Sequence, residues 1–221
     1  MTSKTENMQP LKIKDCTVLN IATGVRAQNL KELRDALVNI HPGSITYHFW
    51  ANKLRPSFEE PEYNNDFAIW AYKSLHDNKL AERLSLINPG AFSDTQDLRR
   101  KLIEVLDLSI KENRSHENSK ESEKFQFTRS EIVVFDKEIV VNKPQELSNI
   151  IGELPLGSIY YHYIYTDKPS ENIYIWLAGF GDKYKGLTLE LVNLDPYFFT
   201  LQELRSRSAQ VFKDHFKGAP N

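Results

Sequence analysis

The sequence predicts an α+β protein, predominantly helical, written as two tandem similar modules. Three observations carry that reading. The phrase GSITYHFWANKL from Gly43 returns as GSIYYHYIYTDK from Gly157. Each copy opens on β-branched and aromatic residues, which suit a pleated surface. Most of the remaining apolar positions recur at helical spacing. Each module is then a small antiparallel sheet or hairpin packed with about four helices.

The repeat extends well beyond the phrase. Leu33, Leu37, Ile40 and Gly43 fall on Leu147, Ile151, Leu154 and Gly157, and Tyr47-His48 falls on Tyr161-His162. After a gap, because the first copy is longer here, Ile69-Trp70 meets Ile175-Trp176 and Leu98-Arg99 meets Leu204-Arg205. The expected organisation is a disordered N-terminus over 1–10, copy one over 11–112, a polar linker over 113–124 and a divergent copy two over 125–217. The linker has no apolar side chain and so cannot join a core.

Taken in order, each module begins with a strand: LKIKDCTVLNI before the turn residue Gly24, and FQFTRSEIVVF then EIVV after Asp136-Lys137. The first helix follows. Asn29 caps it with Glu32 three residues on, and Leu30, Leu33, Leu37 and Ile40 share a face. In copy two Pro144 suits the first turn. Gly43 and Gly157 are read as ending this helix. SITYHFW is open between strand and helix; SIYYHYIY looks more like a strand. Asp66 is placed to cap the next helix, with Phe67, Trp70 and Ala71 inward. Asp77 or Asn78 starts a short helix that Pro89 closes. A last helix carries Leu98, Leu102, Val105 and Leu106, and Thr200 with Glu203 forms a capping box before its counterpart.

The 221 residues carry 28 basic and 30 acidic side chains, a net charge of −2, with no basic concentration of the kind that binds nucleic acid. Cys16 is the single cysteine, so no internal disulfide or thiolate metal site is available. No apolar run approaches a membrane span and no secretory leader opens the chain, so a soluble cytoplasmic protein is expected.

At Ser44-Ile45 with Tyr47-His48, then Asn65-Asp66-Phe67-Ala68 with Trp70, then Leu80-Ala81 with Leu84, the sequence resembles an uncharacterised prokaryotic family. It is the domain-of-unknown-function family numbered fifty-seven fifty-two. In copy two the likeness survives at 158–162, while NDFAxW has become Glu171-Asn172-Ile173-Tyr174 with Trp176. The resemblance implies a helix-rich module, with SIYYH helical, and no catalytic residues.

Familiar catalytic signatures are missing: there is no G-x-S-x-G, no phosphate-binding G-x-x-x-x-G-K-[ST] and no H-E-x-x-H. Gly179, Gly181 and Gly186 read as a helix end and turn. No cofactor or metal is expected. His48 and His162 are either acid–base groups or half-buried imidazoles serving the shared fold. Copy one alone has the stiff, mixed-charge stretch 54–66, and exposed Arg, Tyr and Phe commonly anchor partners. The preferred reading is a non-enzymatic binding or regulatory protein of unknown specificity. It contacts a protein or small polar ligand through Arg55, Glu62, Tyr63, Asn64, Asp66 and His48. The alternative is an enzyme or metal-dependent protein confined to copy one, using His48, Asp66 and His76. Homo-oligomerisation through strand edges or aromatic patches is a third possibility.

Overall fold

The computed structural model describes residues 9–54, 62–112, 119–120 and 123–217. Helices dominate. Two 17-residue strands, β1 (Leu11–Ala27) and β2 (Phe125–Val141), pair as an antiparallel sheet. The expected hairpin inside each module is therefore replaced by one sheet that takes a strand from each half. The chain divides into two compact units: an N unit, Val18–Glu131, and a C unit, Met1–Thr17 with Ile132–Asn221. Each strand thus begins in one unit and ends in the other.

The N unit contains α1 (Leu30–Asn39), α2 (Pro42–Leu54), α3 (Asp66–Lys73), α4 (Asn78–Ser85) and α5 (Thr95–Glu112). Asn29 caps α1 by accepting from the Glu32 N–H at 2.9 Å, and Glu32 reaches back to the Gln28 N–H at 2.8 Å. Leu30, Leu33 and Leu37 face the core. The far end of α1 is closed from α5: buried Arg99 donates to the carbonyls of Leu37, Val38 and Ile40. A cation at a helix C-terminus also opposes the helix dipole. Asn65, not Asp66, caps α3. Its side chain accepts from the Ala68 N–H at 2.9 Å and donates to the Leu84 carbonyl at 3.1 Å. Asp66 becomes the first helical residue, which frees its carboxylate for another partner. Asp77 caps α4.

The C unit contains α6 (Pro144–Ile150), α7 (Leu156–Tyr160), α8 (Ile173–Ala178), α9 (Lys185–Val192) and α10 (Leu201–Lys217). Pro144 opens α6, and Thr200 and Glu203 form a reciprocal capping box before α10. Arg205 donates to the Leu154 carbonyl at 3.0 Å. α7 runs on into a π-helical turn, Tyr161–Tyr165, so the stretch SIYYHYIY, expected as a strand, is helical, and SITYHFW lies in α2. Aromatic bulk suits both states; burial on the inner face of a helix decides here. Gly179 ends α8, and Gly181 (φ 68) turns the chain after it.

Two glycines play other parts than helix terminators. Ile40 ends α1, and Gly43 lies inside α2. Gly157 lies inside α7, where an added Cβ would collide with the Asp15 carboxylate and the Cys16 carbonyl. Glycine is needed there because β1 passes against the helix. The two strands also do not break where turns were expected. They continue through Gly24 (φ 76) and Glu138 (φ 57), the latter steadied by an N–H bond to Asp136 Oδ1 at 2.9 Å. Both strands bury their ends and expose their middles. A lone two-stranded ribbon is marginal in water, so the buried ends secure it.

Candidate functional site

In the N unit, the first residues of β2 lie in a slot made by α2 and α3. Trp70 Nε1 donates to the Glu123 carbonyl at 2.7 Å. Phe125 and Phe127 are buried beyond it, Phe125 stacked on Phe67 with ring centres 5.1 Å apart. The Thr128 N–H then donates to His48 Nε2 at 3.0 Å, and Ser44 Oγ donates to the Thr128 carbonyl at 2.7 Å. His48 is 3% exposed and ringed by Tyr47, Phe67, Phe125 and Phe127. Because Nε2 accepts, the imidazole proton sits on Nδ1, which donates to Asp66 Oδ2 at 2.8 Å.

In the C unit, the first residues of β1 are held in the same manner. Trp176 Nε1 donates to the Gln9 carbonyl at 3.1 Å, and Leu11 and Ile13 are fully buried. The Lys14 N–H donates to His162 Nε2 at 2.9 Å, and His162 Nδ1 donates to the Glu171 carbonyl at 2.5 Å. Burial pulls the His162 imidazole below its ordinary pKa. Lys14 Nζ pairs with Glu171 at 3.3 Å, and the Tyr161 hydroxyl donates to the same carboxylate. Burial and that carboxylate push Tyr161 up to about 12. Cys16 Sγ meets the Gly157 carbonyl at 3.3 Å, and burial lifts its thiol to about 12, which makes it a poor nucleophile.

Of the sequence-predicted site residues, the structure brings together His48 and Asp66. Asn64 and Tyr63 are half-buried and Glu62 is exposed, with Tyr63 edge-on to Tyr72 at 5.4 Å. Arg55 and the rest of 55–61 lie outside the described residues. His76 is exposed in the tight turn between α3 and α4, with φ 53. Among the described residues, no group of three or more His, Cys, Asp or Glu side chains is placed to hold a metal ion. In the same set, no helix is long and apolar enough to cross a membrane. The strand-holding role of Trp70, Trp176, Lys14 and Thr128 escaped sequence reasoning. The step from the carbonyl residue to the bonded N–H, Gln9 to Lys14 and Glu123 to Thr128, is equal in the two units, but the residues at its ends differ and only the hydrogen bonds reveal it.

The profile of a family of unknown function, DUF5752, matches residues 8–213, one match that takes in both halves. No curated protein matches the sequence. Among solved structures, OrfY from Thermoproteus tenax superimposes with a TM-score of 0.77 at 22% identity, over 95% of this chain and 97% of that one. That likeness is one of fold.

Proposed function

The chain belongs to the DUF5752 family of unknown function, and from that premise we propose that it is a non-enzymatic binding or regulatory protein built by internal duplication. One observation carries the reading. Both ring nitrogens of His48 and of His162 are committed, Nε2 to a strand N–H and Nδ1 to an acceptor beneath it. A general base or metal ligand needs a free lone pair at a nitrogen that can face substrate. The catalytic alternative through His48, Asp66 and His76 would first have to break the Thr128 bond.

Duplication is supported by the paired geometry. His48 and His162, Trp70 and Trp176, and Arg99 and Arg205 each make the same kind of bond in their own unit. The proposed contact surface is the copy-one stretch with Arg55, Glu62, Tyr63 and Asn64, next to Asp66 and His48. Its ligand is a protein or a small polar molecule. Replacing Arg55, Glu62 and Tyr63 together by Ala should abolish partner capture from native extract while the melting temperature holds. Undiminished capture by that variant rules the surface out.

Self-association is the second reading, favoured by Val133, Val134, Phe135, Ile139 and Val140, all exposed on β2. Light scattering across a concentration series should show a dimer or larger species; a monomer throughout ends it.

A further inference from the structure

β2 has an edge that its own sheet does not use. The sheet has two strands, so each keeps one edge without a neighbouring strand. Two contacts fix which residues of β2 line that edge. The Phe127 carbonyl accepts from Thr23 Oγ1 of β1 at 2.6 Å, whereas the Thr128 N–H and carbonyl both turn to α2, meeting His48 and Ser44. In an antiparallel ladder the N–H and carbonyl of one residue point the same way, and successive residues alternate. Phe127 therefore faces β1 and Thr128 faces outward. Ser130, Ile132 and Val134 continue the outer edge at two-residue steps.

The composition of this stretch is that of a covered strand. Ile132-Val133-Val134-Phe135 is an unbroken apolar run, and its last three residues are 38%, 37% and 47% exposed. Such runs belong to strands buried on both faces. Open edges are normally blunted by Lys, Pro or a bulge, and here the kink at Glu138 (φ 57) comes only after the run. Charges flank it: Glu131, beside Arg129, before it, and Asp136-Lys137 after it. β1 has no equivalent run, because Asn20 interrupts Val18-Leu19 and Ile21.

We propose that a second copy of this chain covers the edge, its β2 pairing antiparallel with this one about a two-fold axis at Val134. Outer-edge residues then bond to outer-edge residues, Val134 to Val134 and Ile132 to Asp136 of the second copy. Val133 faces Phe135 of the second copy, and Glu131 faces Lys137 of the second copy, each pair occurring twice. Aromatic–β-branched and opposite-charge pairs both stabilise neighbouring strands. Charge selects the register. An axis at Val133 sets Arg129 against Lys137, and an axis at Ile132 sets Glu131 against Val133. The inference rests on the self-association reading and gives it a surface and a register.

Light scattering across a concentration series, run on wild type and edge variants, tests the proposal. Wild type should form a dimer. Val134→Pro removes the outward N–H and spares the inner ladder, and Val134→Lys places a charge on the edge. Both should stay monomeric with an unchanged helical circular dichroism spectrum. Glu131→Lys should raise the dimer dissociation constant about tenfold, and Glu131→Lys/Lys137→Glu should restore it. A wild type that stays monomeric overturns self-association and this edge together. A dimer that survives Val134→Lys overturns the edge alone, and a charge swap without rescue overturns the register. Should Val134→Pro fail to fold, Val134→Lys at this exposed position decides.

Discussion

His48 rests on a carboxylate and His162 on a backbone carbonyl, yet both present the same face to a strand. The N unit supports its histidine with Asp66, the first residue of α3. The C unit uses the carbonyl of Glu171, just ahead of α8, and turns the Glu171 side chain toward Lys14 and Tyr161. What varies is the support; what stays is an Nδ1–H imidazole whose Nε2 receives a strand amide. A group with a catalytic duty tends to keep its partners, whereas a packing device needs only some acceptor behind it. In both units the ring ties a strand amide to an acceptor behind it.

The strongest way to break the comparison is at the glycines. Gly157→Ala forces a methyl into the β1 backbone, and about 3 kcal/mol of stability should be lost. Gly43→Ala meets only the His41 ring at 3.1 Å and should change stability by under about 1 kcal/mol. Urea unfolding of the two variants checks both, and equal losses would mean that β1 does not press on α7.

Removing the rings themselves comes next. His48→Ala and His162→Ala each leave a strand amide and a second polar group unpaired, at about 2 kcal/mol apiece. Amide hydrogen exchange should then quicken at Thr128 in the first variant and at Lys14 in the second. Exchange that stays slow at both sites would deny the clamps.

Helical spacing made most helices readable from sequence, together with the caps at Asn29 and Thr200, while the start of α4 stayed open between Asp77 and Asn78. The α3 cap was misread by one residue because Asn65 and Asp66 are both good capping residues. The choice depended on His48, 18 positions away, needing the carboxylate. The strand sharing left no local mark. β1 and β2 each look like an ordinary module opening, and which helices bury Leu11 or Phe125 is a long-range matter. Gly157 looked like a helix terminator for the same reason, since the strand that crowds it lies about 140 residues earlier.

A smaller contrast lies at the strand kinks. Gly24→Ala should cost about 1 kcal/mol, because nothing crowds the site and only the left-handed backbone objects. Glu138→Gly should gain about 0.5 kcal/mol, the relief of φ being partly offset by glycine's entropy. Thermal melts that move in the reverse directions would contradict the assigned backbone.

The gentlest test is pH. His162 has a folded pKa below the unfolded value of 6.5, so the unfolded chain binds the extra proton first. Its contribution to stability is fully present above that value and declines as pH falls from there toward the folded pKa. His162→Gln should flatten the melting temperature over this window relative to wild type. An unaltered slope would show that His162 titrates alike in both states.

The most direct measurement is the tautomer of the two rings, read by long-range nitrogen–proton correlation NMR on histidine-labelled protein. Both His48 and His162 should carry their proton on Nδ1, with Nε2 shifted as a hydrogen-bond acceptor. A proton on Nε2 of either ring would aim N–H at N–H across the strand, and would contradict the account.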